Sequence, residues 1–242
     1  MYRPPLVSII IRIFCRFRFD HLILEKLFEQ TFSDFEVIVV DSGSTDRTLK
    51  IIQKFSICLI KIKPEEYNHS YALNLGISKA VGKYICILSA HSLPMSNTWL
   101  EAGLSNFKDP KVAAVSGHYF SLPDGNISEK LGDLWGFLRG HHIRREENTP
   151  WMTNTNSLVR KDLWERYPFD ESLEECENYD WAKGMIARGY RVVKDPKFNV
   201  RHSHGGIGRL TARQRPPRWK RICAEIDRRS RPRTSYSRLV VD

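Results

Sequence analysis

The chain has 242 residues, of which 41% are hydrophobic and 27% are charged, and it carries a formal net charge of +10. Its longest apolar runs are far shorter than the ~20 residues that a membrane-spanning helix needs, so the composition excludes such a helix. The apolar run at residues 6–11 is short and is followed at once by Arg12, which is a poor pattern for a signal peptide. We therefore expect a cytoplasmic protein.

The positive charge is concentrated near the end of the chain. Residues 206–242 contain eleven Lys or Arg residues and only three acidic residues. We expect this stretch to be a poorly ordered basic tail beside a nearly neutral body. The five cysteines form no CxxC pair and indicate no disulfide framework. Cys58 and Cys86 lie in strand-like runs, where we expect them to be small buried hydrophobic residues.

Strand and helix patterns alternate through the first ninety residues. Apolar, β-branched runs at residues 7–13, 37–40, 57–62 and 84–88 predict four buried strands. Between them lie helical stripes, one of which begins near Asn68. This alternation is typical of βαβ units and predicts a parallel sheet.

The second half has shorter elements. The patterns predict a helix at residues 99–104, strands at 112–117 and 154–160, and a short helix starting at Lys161. An acidic-headed helix follows at 175–188 and ends at Gly189, a typical helix-terminating residue. Two short strands at 191–194 and 199–202 complete the body.

Two polar stretches follow predicted strands at the same edge of the sheet. Asp41 ends the second strand, and Ser89 begins the polar segment after the fourth. Ligands of open α/β sheets bind beyond the carboxyl ends of the strands. Asp41 could therefore accept hydrogen bonds from a ribose or a base, or it could simply organise the turn that follows.

Several motifs, taken together, resemble those of a family 2 glycosyltransferase with the GT-A fold, of the rhamnosyltransferase type. The likeness covers roughly residues 5–204. It implies an α/β, Rossmann-like, mostly parallel sheet flanked by helices in a single domain. We expect residues 1–92 to form a nucleotide-sugar-binding half and residues 93–205 an acceptor and catalytic half. The motifs are Val7-Ser8-Ile9-Ile10-Ile11-Arg12, Gln30-Thr31-Phe32, residues 35–46, Ala72-Leu73-Asn74-Leu75-Gly76, Phe169-Asp170-Glu171 and Tyr179-Asp180-Trp181.

The resemblance implies a hexosyltransferase that moves a sugar from a nucleotide diphosphate to a glycan or lipid-linked acceptor, usually with inversion, in cell-surface polysaccharide synthesis. It implies a catalytic carboxylate at the head of the late acidic helix, where Glu177 and Asp180 lie. It also implies a set of nucleotide-binding residues, which are Arg12, Asp41, Ser44, Asn74 and Ser89.

The family's metal-binding motif is altered in this chain. Relatives hold Mn²⁺ or Mg²⁺ with an Asp-x-Asp element, and this chain has Ser89-Ala90-His91 there. Imidazole shifts the preference of a site toward transition metals. His91 could bind a divalent metal together with His202 or His204, or it could contact the diphosphate directly.

The presumed base is altered as well. The family usually has Glu-Asp where this chain has Glu177-Asn178. An asparagine cannot take a proton, so activity is impaired if position 178 holds the base. Neighbouring helical positions point about 100° apart, so Glu177 is not an automatic substitute; Glu174 and Glu175 are further candidates.

Three residues before this helix are candidates for acceptor binding, namely Trp151, Asn154 and Asn156; core packing or turn structure would explain them equally well. One alternative function is a non-catalytic nucleotide-sugar-binding relative, which Asn178 would favour. A second is a nucleic-acid-binding protein, suggested only by the basic tail. That tail could instead rest on anionic lipid at the inner face of the membrane, or it could come from a shifted reading frame.

Overall fold

The computed structural model of the protein describes residues 3–14, 22–123, 125, 127–140, 142–202 and 218–229. Within these residues the strands are β1 Val7–Phe14, β2 Phe35–Ser42, β3 Cys58–Lys61, β4 Tyr84–Ser89, β5 Ser92–Pro94, β6 Val112–Ser116, β7 Tyr119–Phe120, β8 Glu146–Glu147, β9 Asn156–Arg160, β10 Arg191–Lys194 and β11 Val200–His202. The α-helices are α1 Leu22–Phe28, α2 Thr48–Ile52, α3 His69–Lys79, α4 Trp99–Leu104, α5 Ile127–Leu138, α6 Lys161–Arg166, α7 Glu177–Ala187 and α8 Arg218–Arg228.

In the described part of the chain, eight strands form the main sheet, in the order β3-β2-β1-β4-β9-β6-β10-β8. The first four are mutually parallel, and β10 runs parallel to β6. Only β9 and the short edge strand β8 run antiparallel to their neighbours. The predicted α/β fold with a mostly parallel sheet is confirmed.

Helices cover both faces of this sheet. On one face, buried residues of α1 and α4 share a core with Ile9 and Ile11 of β1. On the other face, buried residues of α3, α6 and α7 share a core with Ile10. Successive strand residues point to opposite faces, so an uninterrupted apolar strand is what a sheet buried on both sides requires. The four N-terminal strands were therefore recognisable from sequence.

Other features were not predicted. The strands β5, β11 and β7 form a small second sheet in that order, beside the end of β4. Our expectation for Cys58 was wrong: it is exposed at the start of β3, whereas Cys86 is buried in β4 as predicted. Strand β3 is the edge strand of the main sheet, so its first residue lacks a neighbour on one side.

The basic tail contains helix α8, which packs on α7. Its apolar residues Ile222, Cys223 and Ile226 are buried against Leu173 and Tyr179. The described part of the tail is therefore a docked amphipathic helix with an apolar stripe at the spacing of one helix face. Among the described residues, no helix is long and apolar enough to cross a bilayer.

Candidate active site

The carboxyl edge of three parallel strands brings predicted nucleotide-binding residues together. Strand β1 lies between β2 and β4, and Arg12 is in register with Val40 on one side and Ser89 on the other. Ile13 is in register with Asp41. Adjacent strands lie about 4.8 Å apart, so the ends of β2 and β4 stand roughly 10 Å apart, on either side of Arg12.

Asp41 is held in a tight turn at the end of β2. Its side chain is buried, and the Ser44 backbone N–H lies 3.2 and 3.3 Å from its two carboxylate oxygens. The Ser44 hydroxyl also donates to Oδ1. Gly43, with a φ of +90°, lets the chain fold back in this way. A carboxylate offers about four acceptor positions, so Asp41 can organise the turn and still accept a bond from a ligand.

Arg12 reaches across the sheet edge to the start of α3. Its Nη1 donates to the His69 carbonyl oxygen at 2.9 Å and lies 3.0 Å from His69 Nδ1. Burial, and then the charge of Arg12, lower the pKa of His69, while the carboxylate of Glu177 acts in the opposite sense. Arg12, His69 and Glu177 therefore belong to one electrostatic cluster that links β1 to α7.

Asn74 occupies an internal position on α3. Its amide nitrogen donates to the Phe169 carbonyl oxygen at 2.9 Å and to Glu171 Oε1 at 2.8 Å. Its oxygen accepts from Trp164 Nε1 at 2.9 Å and from the Phe169 backbone N–H at 3.2 Å. These four bonds tie α3 to the segment before α7. The nucleotide-binding role of Asn74 stays a prediction.

Ser89 is the last residue of β4, and His91 follows it at the same sheet edge. The His91 ring stacks on His202 of β11, with ring centroids 4.3 Å apart and an interplanar angle of 28°. His91 Nδ1 lies 3.4 Å from Ser89 Oγ, and His202 Nδ1 lies 3.0 Å from Ser92 Oγ. His204 lies outside the described residues.

This arrangement does not fit a metal held by protein side chains alone. The lone pairs of an imidazole lie in its ring plane, so two nearly parallel stacked rings do not direct their nitrogens at one point between them. Within residues 3–202 and 218–229, apart from the undescribed positions, no group of three or more His, Cys, Asp or Glu side chains could hold a metal. A metal at His91 or His204 stays a prediction.

Glu177 opens α7 and is buried. Its Oε1 accepts a hydrogen bond from Asn154 Nδ2 at 2.6 Å. The Asn178 amide points elsewhere and donates to the carbonyl oxygen of Met152. Both residues therefore anchor the loop that precedes β9. Their side chains bond different residues of this loop because adjacent helical positions point about 100° apart.

Asp180 lies one turn further along α7 and is paired with the tail. Its Oδ1 lies 3.0 Å from Nη1 of Arg229, just beyond the end of α8. The neighbouring Tyr179 hydroxyl donates to Asp227 Oδ1 at 2.9 Å. Burial, followed by the Asp227 carboxylate, raises the pKa of Tyr179 to about 12. The catalytic role of Asp180 stays a prediction.

The three predicted acceptor residues differ in their surroundings. Trp151 is exposed, and its ring packs on Tyr179 with centroids 4.8 Å apart. Asn154 contacts Glu177, and no donor among the described residues reaches its buried Oδ1. Asn156 is completely buried in β9 and donates to the Phe198 carbonyl oxygen. Asn154 thus contacts Glu177 and Trp151 contacts Tyr179 of the same helix, whereas Asn156 lies inside the core.

Two candidate residues were not predicted from the sequence. His69 follows the Asn68 cap of α3, and its position at the start of the helix that follows β3 was a usable signal, because such helices begin on the ligand-binding side of the sheet. Arg229 lies in the tail, 49 residues from Asp180. No local pattern could have indicated that contact.

Comparison with known proteins agrees with this geometry. Residues 8–167 match the model of the family described as "Glycosyl transferase family 2". The chain belongs to this family. It is 28% identical over 185 residues to the O-antigen chain rhamnosyltransferase WbaN of Salmonella anatum, covering 73% of this chain and 59% of that protein. The predicted family and its rhamnosyltransferase likeness are confirmed.

A second relative comes from Methanococcus voltae. It is a dolichyl N-acetyl-alpha-D-glucosaminyl phosphate 3-beta-D-2,3-diacetamido-2,3-dideoxy-beta-D-glucuronosyltransferase, 32% identical over 218 residues, covering 79% of this chain and 65% of that protein. Among solved structures, the mannosyltransferase PcManGT from Pyrobaculum calidifontis, in complex with GDP-Man and Mn²⁺, has a TM-score of 0.67 at 23% identity; the match covers 86% of this chain and 59% of that one. The GT-A fold is thereby confirmed. The chain spans about three fifths of the length of WbaN and of two further relatives.

Proposed function

We propose that this family 2 glycosyltransferase moves a hexose from a nucleotide-diphosphate donor to a hydroxyl of a glycan or lipid-linked acceptor, with inversion. The observation that carries the proposal is the cluster of Arg12, His69 and Glu177. This cluster joins the sheet edge that carries Asp41 to the helix that carries the candidate base. The proposed donor site and the proposed proton acceptor would thus adjoin one another.

On the donor side, Asp41 would accept hydrogen bonds from the nucleoside, in the turn that Ser44 fixes. Arg12 and Ser89 flank the place where the diphosphate would lie, because both stand at the carboxyl ends of adjacent strands. The Arg12 guanidinium would offset negative charge that develops on the leaving diphosphate.

On the acceptor side, Glu177 would take the proton of the attacking hydroxyl. The hydroxyl oxygen then forms a bond to the anomeric carbon, and the bond from that carbon to the diphosphate oxygen breaks. The leaving nucleotide diphosphate keeps the electron pair. Attack from the face opposite the leaving group inverts the anomeric centre. Asn154 would orient Glu177, and its amide oxygen would accept a bond from the acceptor.

A divalent ion, when bound, would stabilise charge on the diphosphate. We assign no step to it, because the described side chains do not form a metal site by themselves. The test is a thermal-shift screen with UDP, GDP and dTDP and their sugars, with and without Mn²⁺. A ligand that binds only the folded state raises its melting temperature. Stabilisation by one nucleotide supports the proposal, and no response to any of them contradicts it.

The acceptor would belong to cell-surface polysaccharide synthesis, as the names of the relatives WbaN and the Methanococcus voltae transferase suggest. We propose a cytoplasmic site of action at the inner face of the membrane, where the basic tail would contact anionic lipid at up to about 1 kcal/mol per basic residue. Sedimentation with phosphatidylglycerol vesicles, compared with neutral vesicles, tests that contact.

A non-catalytic nucleotide-sugar-binding protein is the second candidate, and Asn178 favours it. The Asn178 amide donates to a backbone carbonyl, which an aspartate could not do. Asn178→Asp would raise turnover only if the base had been lost at this position. If Glu177 is the base, the same substitution should lower turnover, because it releases the loop that carries Asn154.

A further inference from the structure

Two exposed tryptophans from distant parts of the chain meet beside α7. Trp151 lies in the loop before β9, and Trp219 lies in the first turn of α8. Their ring centroids are 6.1 Å apart and their planes stand at 89° to each other. The exposed fractions of the two residues are 47% and 41%. Together the rings form an open aromatic corner.

Both tryptophans are connected to α7 or to the residue before it. Trp151 packs on Tyr179, whose hydroxyl is bound by Asp227 of α8. The Trp219 carbonyl oxygen lies 3.6 Å from Cys176 Sγ, and Cys176 directly precedes α7. The buried residues Ile222, Cys223 and Ile226 hold α8 on the body of the protein, so Trp219 does not have to be buried to keep the helix in place.

The corner is connected to the candidate base through the loop before β9. Three residues after Trp151, the Asn154 amide holds the Glu177 carboxylate. Tyr179, which contacts Trp151, is two residues after Glu177, which is about 3 Å along the axis of α7 and about 200° around it. A glycan resting on both tryptophans would therefore reach Glu177 along the Trp151–Asn154 stretch of the loop.

The chemistry of the corner suits a sugar ring. Ligand pockets combine apolar and aromatic surface with a few polar groups that fix orientation. A pyranose has an apolar face of C–H groups and a rim of hydroxyls, and an indole ring matches that apolar face. The Lys220 ammonium lies over the Trp219 ring, 5.6 Å from its centroid, and places a hydrogen-bond donor beside the indole.

We propose that Trp151 and Trp219 form an acceptor subsite, in which Trp219 stacks on a pyranose ring of the glycan next to the reacting sugar. This inference rests on the proposed function and assigns a substrate-binding task to the tail. Helix α8 then completes the acceptor side of the site.

The test is saturation-transfer difference NMR with the full chain and four probes: the methyl glycosides of α-L-rhamnose, α-D-mannose, α-D-galactose and N-acetyl-β-D-glucosamine. We expect saturation of the ring C–H groups of at least one probe. Trp219→Ala should weaken binding of that probe about 2- to 10-fold, the range for loss of one aromatic contact. Trp219→Tyr should restore part of it.

Trp135→Ala is the matched control. Trp135 is also an exposed tryptophan with a cation near its ring, Arg139, but it lies on α5. Its substitution should leave the glycoside signal unchanged. Melting temperatures of all variants, measured with and without the stabilising nucleotide, show that each is folded and retains its donor site.

Three outcomes would overturn the subsite: undiminished glycoside binding by Trp219→Ala, an equal loss in Trp135→Ala, or no saturation of any probe by wild-type protein that a nucleotide stabilises. The last result would leave the proposed function intact, because donor binding is measured separately. If no nucleotide stabilises the protein, the proposed function fails whatever the glycosides do.

Discussion

The donor and acceptor sides of the site are built by different kinds of contact. On the donor side, Asp41 is fixed by Ser44, three residues away, and Arg12 stands between two parallel neighbours. On the acceptor side, Asn154 holds Glu177 across 23 residues, and Arg229 reaches Asp180 across 49. A local turn and the pairing of parallel strands fix the donor side, whereas the acceptor side exists only when a loop and the helix α8 have docked on α7.

This difference makes the two sides separable by mutation. A change on the donor side should alter nucleotide binding and leave the acceptor segments in place. A change in α8 should loosen the acceptor side and leave the Asp41 turn intact. The following experiments use that separation.

The largest effect is expected from Glu177→Gln, which removes the candidate proton acceptor but keeps a hydrogen-bonding side chain. Sugar transfer, measured as release of nucleotide diphosphate, should slow by about 10²- to 10⁴-fold. Stabilisation by the nucleotide should be unchanged. Glu101→Gln on α4 is the control, because this exposed carboxylate is remote from the site. Transfer at the wild-type rate by Glu177→Gln would exclude Glu177 as the base.

Asp41→Asn should have the next largest effect, and it addresses the donor side alone. Hydrogen bonds to a charged group contribute about 1.5–3 kcal/mol, so nucleotide affinity should fall roughly 10- to 100-fold. Calorimetric titration with the stabilising nucleotide measures this change.

Asp34→Asn is the matched control for Asp41, since Asp34 lies just before the opposite end of β2. Glycoside binding should persist in both variants. Equal nucleotide affinity in Asp41→Asn and wild type would mean that Asp41 only organises the turn.

A smaller effect is expected from Arg229→Met, which breaks the ion pair between α8 and α7. Asp180 is buried and the Arg229 side chain is about one third exposed, so the loss should be about 1–2 kcal/mol of unfolding free energy. Urea unfolding measures it, and a double-mutant cycle with Asp180→Asn isolates the pair. Arg228→Met, at an exposed neighbouring position, should be nearly neutral. An equal effect of both substitutions would contradict a specific role for the pair.

The smallest effect is expected in the pH dependence of the unfolding free energy, and it concerns His69, which lies between the donor and acceptor sides. Burial and Arg12 lower the pKa of His69 below its ordinary 6.5. As the pH falls, His69 therefore takes up a proton in the unfolded chain before it does so in the folded protein. The stability that neutral His69 contributes is lost as the pH falls through 6.5, and this loss is complete below the pKa of the folded state. Unfolding free energies measured between pH 8 and 5 should decline less steeply for His69→Gln than for wild type. Parallel curves would exclude this linkage.

The sequence by itself determined most of the donor side. Apolar, β-branched runs mark strands that are covered on both faces, and strand–helix alternation makes them parallel. Parallel strands end at one edge, so Asp41 and Ser89 had to fall near each other once the strands were recognised. The position of Arg12 at the end of β1 followed in the same way.

Only the tertiary structure decided how the acceptor side is assembled. The sequence showed an acidic helix with Glu177 and Asn178 but not which side chain faces the site, because that depends on the loop that docks against it. It showed a basic tail but not that Ile222 and Ile226 pack on α7 or that Trp219 meets Trp151. Local patterns report the conformation of a segment, whereas docking depends on complementary surfaces far apart in the chain.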